Sequence, residues 1–213
     1  MSSRPRETKP RAETKPRAET MAETREALIR AGIELFAEQG LDAPSLDAIC
    51  ARARKTRGAF YVHFPDRDAF LAAVMERVGF PFLDAVLGRG DDAPRDISHV
   101  VERFLMAVAS GEYPLTSEKG VKPHQLLDAC ARSEKVRARY AALIEETVAR
   151  LHAILAEGQR EGAIRDDLRP EDVSTMLLAA VIGAQTMIEL RVSVDLASAA
   201  TAMLRMLAPT AQR

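Results

Sequence analysis

The chain has 213 residues, one large domain or two small ones at roughly 150 residues per domain. Its 30 Lys and Arg against 31 Asp and Glu give a formal charge of −1, which excludes a uniformly basic nucleic-acid coat but not a local basic patch. With 47% apolar residues, 5% aromatics and no Trp, a core must be built from Leu, Ala, Val, Ile and Met, a composition that favours helices.

Residues 1–20 are low in complexity, with a Pro-Arg-Ala-Glu-Thr unit at Pro10 that restarts at Pro16. After Met1 nothing there is more apolar than Ala, so no burial can offset the entropy of ordering it, and a disordered basic arm is expected. The arm either touches DNA phosphates or is an extension without a role, with Met21 as an alternative start. Thr24 to Gln39 reads as a helix capped by Thr24, with Leu28, Ile29, Gly32, Leu35 and Phe36 in one stripe and Gly40 as its stop. Ser45 offers the cap of a second short helix that runs to about Ala53. Arg54-Lys55 makes a turn, and Thr56 caps a third helix from Arg57 to His63 with Phe60 and Phe64 inward. A fourth helix runs from near Asp66 to about Leu87, bent at Gly79-Phe-Pro81. Further helices are expected over about 96–110, 123–132, 134–161, 170–191 and 194–207. No stretch alternates strictly enough for a sheet, so the fold class is all-α with about nine helices.

Three short helices in about 40 residues, the last two joined by a tight turn, have helix-turn-helix geometry. Four of the six residues from Arg52 to Arg57 are cationic, a local patch where a recognition helix would begin. Arg57 is long enough to reach guanine O6 and N7 from the first turn. Gly58 lets the backbone approach a groove, and Tyr61 and His63 offer polar tips. On spacing alone, a helical hairpin with a solvated cationic edge remains open.

The segment Ala31-Gly-Ile-Glu-Leu-Phe36-Ala-Glu-Gln-Gly40, followed by Arg57-Gly58-Ala-Phe-Tyr61-Val-His63-Phe64-Pro-Asp-Arg67, resembles the N-terminal signature of the TetR family of bacterial transcriptional regulators, over roughly residues 24–71. The resemblance implies a homodimer on a palindromic double-stranded operator, with a C-terminal helical domain that binds a small molecule and dimerises through its last two long helices. It places Thr56, Arg57, Gly58, Ala59, Tyr61, Val62 and His63 on the DNA-contacting helix, Arg67 at a phosphate, and Ser45 at a helix-start phosphate contact. One departure stands out: the family's turn carries Gly and then a small apolar residue where this chain has Arg54-Lys55. The expected division is an arm over 1–20, a DNA-binding domain over 21–68 and a ligand-binding and dimerisation domain over 69–213.

Helices 170–191 and 194–207 are expected to dimerise, the first through Val173, Leu177, Ala180, Val181, Ala184 and Ile188. An apolar effector cavity lined by His99, Phe104, Tyr113, Leu127, Met176 and Gln185 is expected in the middle helices. The function expected is a repressor released by a small apolar ligand; a helical scaffold without DNA binding is the main alternative. The histidines lack metal spacing and Gly-x-Ser-x-Gly is absent, so no metal, cofactor or catalytic site is expected. Cys50 and Cys130 read as buried thiols of a cytoplasmic protein. The longest apolar run, Met176 to Ala184, is too short for a membrane span.

Overall fold

The computed structural model describes residues 17–94, 96–110 and 121–209. Within them lie nine α-helices and no strand: α1 (Arg17–Gln39), α2 (Leu46–Arg52), α3 (Arg57–His63), α4 (Arg67–Leu87), α5 (Ile97–Ala109), α6 (Pro123–Arg132), α7 (Glu134–Arg160), α8 (Pro170–Glu189) and α9 (Leu196–Leu207), with a single 3-10 turn at Gly90–Asp92. The all-α expectation holds. Most helix starts follow from one local rule: Ser45, Thr56, Asp66, Asp96, Ser133 and Asp195 each accept a backbone N–H from the first turn they precede.

α6 and α8 instead open on Pro123 and Pro170, and α1 departs from its expected start. It begins at Arg17, not Thr24, because Ala18, Glu19, Met21, Ala22 and Glu23 are all helix formers. Thr24 lies inside the helix, and its hydroxyl donates to the Thr20 carbonyl at 2.9 Å instead of capping. The expected arm therefore loses its last residues to a helix, and its remainder lies outside the described residues. In α4 the chain runs helically through Pro81 to Leu87, where Gly88 at φ 70° closes it.

Two buried clusters organise the molecule. The first joins Leu28, Ile29, Leu35 and Phe36 of α1, Ile49 of α2, Phe60 of α3, Phe64, and Phe70 to Met75 of α4. Val121, Ala129 and Val136 close it from the other side, so this core extends beyond residue 68. The second joins Leu83 to Leu87 of α4 with residues of α5, α7, α8 and α9. α4 and α7 belong to both and pack along each other. Gly79 permits that approach, since a Cβ there would come within 2.7 Å of Leu143.

Four phenylalanines centre the first cluster. Phe70 has its ring centroid 5.3 Å from Phe60, 5.1 Å from Phe64 and 6.2 Å from Phe36. Gly32 makes room for it, because a Cβ there would lie 2.5 Å from the Phe70 ring. Phe70→Ala should cost about 3–5 kcal/mol of stability. Denaturant unfolding of the variant would measure this, and a loss below about 1 kcal/mol would show that the rings are not the anchor of the small helices.

Candidate nucleic-acid interface

The two short helices are set by their caps and by the turn between them. Ser45 Oγ accepts from Ala48 N and Thr56 Oγ1 from Ala59 N, both at 3.1 Å. Between the helices, Lys55 N donates to Cys50 O at 2.9 Å and Arg54 N to Ala51 O at 3.0 Å. These are the paired bonds of a Schellman stop, whose pivot must be left-handed and is usually Gly. Here Arg54 takes that position at φ 54°. The turn closes without glycine and points a guanidinium outward in exchange for local strain.

The buried Phe60 ring fixes the rotation of α3. Arg57, Gly58, Tyr61 and Val62 then face solvent, with Val62 66% exposed, while Ala59 and His63 are half-buried. An added Cβ at Gly58 would meet only Thr56 Oγ1 at 3.7 Å, so internal packing does not demand glycine there. Tyr61 stacks edge-on against Phe60, its centroid 5.6 Å away.

The four cations of 52–57 do different things. Arg52 turns back onto α1 and donates to Glu34 at 3.2 Å and to both oxygens of Glu38 at 3.0 and 2.9 Å. That fork raises the guanidinium pKa and lowers that of Glu38, so Arg52 fastens α2 to α1 instead of joining the expected patch. Arg57 reaches Asp47 of α2 at 3.3 Å, and the nearby Tyr61 hydroxyl and Asp47 carboxylate raise its pKa. His63 has its pKa lowered by burial and by the nearby charges of Arg25 and Lys55, which keeps the imidazole neutral at pH 7.

Arg67, expected at a phosphate, is engaged within the chain. Its two terminal nitrogens donate to the carbonyls of Pro44 at 2.7 Å and Leu41 at 2.8 Å, and its guanidinium lies 5.9 Å over the Phe36 ring. It clamps the α1–α2 connection and so sets where Ser45 stands. Sequence spacing gave no sign of Asp47 as a partner of Arg57, nor of the α1 glutamates that hold Arg52.

The six expected effector-lining residues are spread out. Leu127 and Met176 are 60% and 69% exposed, His99 is exposed, Phe104 packs on the second cluster, Gln185 is half-buried, and Tyr113 lies outside the described residues. An open groove of about 440 Å³ runs between α5 and α9, lined by Val101, Leu105, Met106, Ala200 and Leu204 among others, and none of the five described residues of the six borders it. The stripe expected on α8 is also shifted. Val173 and Leu177 are buried in the chain's own second cluster. The apolar line that stays outside runs Met176, Ala180, Met187, Leu190, with Gly183 half-buried between them, where a Cβ would meet nothing within 4 Å. Among the described residues no cluster of side chains suits a metal ion, and no helix is long and apolar enough to cross a membrane.

Residues 28–74 match the family model described as bacterial regulatory proteins, tetR family. The chain is 26% identical over 163 residues to the HTH-type transcriptional repressor DhaR of Mycobacterium sp. strain GP1, covering 75% of this chain and 79% of DhaR. It is 28% identical over 167 residues to the HTH-type transcriptional repressor BepR of Brucella suis, covering 76% and 78%. Among solved structures it is similar to SmeT of Stenotrophomonas maltophilia in complex with triclosan, with TM-score 0.63 and 25% identity over 86% of this chain and 88% of that one.

The strained turn makes a prediction. A left-handed non-glycine residue costs about 1–2 kcal/mol, partly offset by the greater unfolded-state freedom of glycine. Arg54→Gly should therefore leave stability unchanged or raise it by up to about 1 kcal/mol. Chemical denaturation reads this, and a clear loss of stability would mean that the Arg54 side chain contributes more than its backbone strain costs.

Proposed function

Through its N-terminal domain the chain belongs to the TetR family of bacterial regulatory proteins, and we propose that this DNA-binding regulator is a repressor that holds a palindromic operator as a homodimer and lets go when a small apolar molecule binds. The observation that carries the reading is the outer face of α3. A helix roughly 10 Å long stands on a buried Phe60 and exposes Arg57, Gly58, Tyr61 and Val62. Such a helix enters a major groove end-on.

The roles divide by reach. Arg57 reads guanine O6 and N7, while Val62 and Ala59 meet thymine methyl groups. Gly58 admits the backbone to the groove. Ser45, Thr56, Tyr61 and His63 set the register on phosphates, with Arg54 and Lys55 adding charge beside them. Arg67 acts as a positioning residue through the carbonyls of Leu41 and Pro44. The DNA-binding unit is assigned to 21–68 and the effector and dimer functions to 69–213. The solved complex of SmeT with triclosan supports a small apolar effector for the second unit.

Dimerisation is assigned to α8 and α9. Met176, Ala180, Met187 and Leu190 are exposed, and with the half-buried Gly183 they repeat at alternating steps of four and three, the spacing of a seam between helices, where Gly183 admits a close neighbour. On α9, Ala199, Ala202 and Met206 are exposed with the same spacing.

Two outcomes are expected. Selection from random DNA should yield two symmetric half-sites, and Arg57→Ala should cost about 1–3 kcal/mol and change the preferred base in each; a single unpaired site or an unaltered preference would refute the assignment. Gly183→Glu should sediment as a monomer where the wild type sediments as a dimer. A wild type that is monomeric at micromolar concentration would remove α8 and α9 from this role.

A further inference from the structure

Asp47 is the only carboxylate between Pro44 and Phe64, a stretch that also holds Arg52, Arg54, Lys55 and Arg57. Its side chain is 68% exposed, so the core does not require it. On a face that meets phosphates, a lone exposed acid weakens binding through long-range repulsion. The structure shows where that charge is used. Asp47 Oδ2 lies 3.3 Å from Nη1 of Arg57, the residue assigned to guanine.

A free arginine on a short helix has several rotamers, and in a groove most of them lead to a phosphate instead of a base edge. Anchoring Nη1 at Asp47 removes much of that freedom and leaves the rest of the donor fork for the two acceptors of guanine. The carboxylate also penalises any pose that brings a phosphate to the same place. We propose, building on the assignment of Arg57 to a guanine, that Asp47 is a specificity-determining positioning residue: it holds Arg57 in its base-reading orientation and discourages its collapse onto the DNA backbone, giving up affinity for DNA in general to gain discrimination at one base pair of each half-site.

The test uses the full chain with its selected operator, the operator changed at the base pair assigned to Arg57, and a random-sequence duplex, each titrated across a salt series. Asp47→Asn should bind the random duplex more tightly and lose about two- to fivefold of the discrimination between the two operators. Asp47→Glu, which keeps the charge, should recover part of that discrimination. In the Arg57→Ala background, Asp47→Asn should leave the base preference where Arg57→Ala alone puts it. A merely structural role would instead weaken all three duplexes in parallel and lower the melting temperature. Full discrimination in Asp47→Asn overturns the inference while leaving Arg57 as the reader. An unchanged base preference in Arg57→Ala itself overturns the assignment of Arg57, and the inference with it.

Discussion

The small helices exist because of one aromatic contact set. A helix of seven residues is far below the length at which helices hold themselves together in water. α2 and α3 are both that short. What fixes α3 is Phe60 and its cap residue Phe64 meeting Phe70 of α4 and, through it, Phe36 of α1. Two features serve this contact. Gly32 has no side chain, which lets the Phe70 ring reach α1. Arg25 and Arg67 cover the outer rings with their guanidinium groups, 5.4 Å from Phe64 and 5.9 Å from Phe36. Since Phe70 lies on the first turn of α4, the helix that fixes the recognition surface also runs into the second core.

Charge is sorted on top of that scaffold. Of the arginines around the turn, Arg52 and Arg67 face inward and are consumed by structure, one by two α1 glutamates and the other by two backbone carbonyls. Arg54 and Arg57 face outward. The division follows from helix phase. Arg52 is in the last turn of α2 on the side of α1, whereas Arg54 is swung away by the left-handed turn and Arg57 opens α3 on the side opposite Phe60. The patch that looks uniform in the sequence is thus one structural clamp, Arg52, and the cations Arg54, Lys55 and Arg57; the second clamp, Arg67, lies outside it.

The limits of sequence reading follow the same lines. Where the signal is local it was legible: Ser45, Thr56 and Asp66 cap the helices they precede, and Phe60 and Phe64 share an inner face. Thr24 misled because a capping residue followed by an apolar stripe looks like a helix start, while the helix formers before it extend α1 upstream. The phase of α8 was not legible because the helix is apolar on more than one side. Periodicity cannot say which stripe α7 takes, and α7 takes Val173 and Leu177. The effector-lining residues were chosen by type along separate helices, and only the tertiary pairing of α5, α6 and α8 decides which of them share a space. Asp47 escaped notice because its partner lies ten residues on, across a turn whose shape rests on an arginine in a glycine position.

That leaves the question of how the second core can be felt at the first. α4 and α7 run through both, but two long helices packed along their length move as one body. α6 offers a shorter route. Its Gln125 side chain accepts from Leu41 N at 3.4 Å, and its Arg132 pairs with Asp42 at 3.2 Å. Leu41 is also one of the two carbonyls that Arg67 holds, four residues ahead of Ser45. In the first turn of α6, beside Gln125, His124 pairs with Glu189 at the C-terminal end of α8. Just beyond α6, Lys135 meets Asp66, the cap of α4, at 2.5 Å. A displacement of α8 that carried Glu189 with it would therefore pull on α6 and, through Gln125 and Arg132, on the connection that places the α2 cap. The ion pairs among these links are exposed, each of the kind worth up to about 1 kcal/mol, and they add to the apolar contact that Leu126, Ala129 and Cys130 of α6 make with the first core.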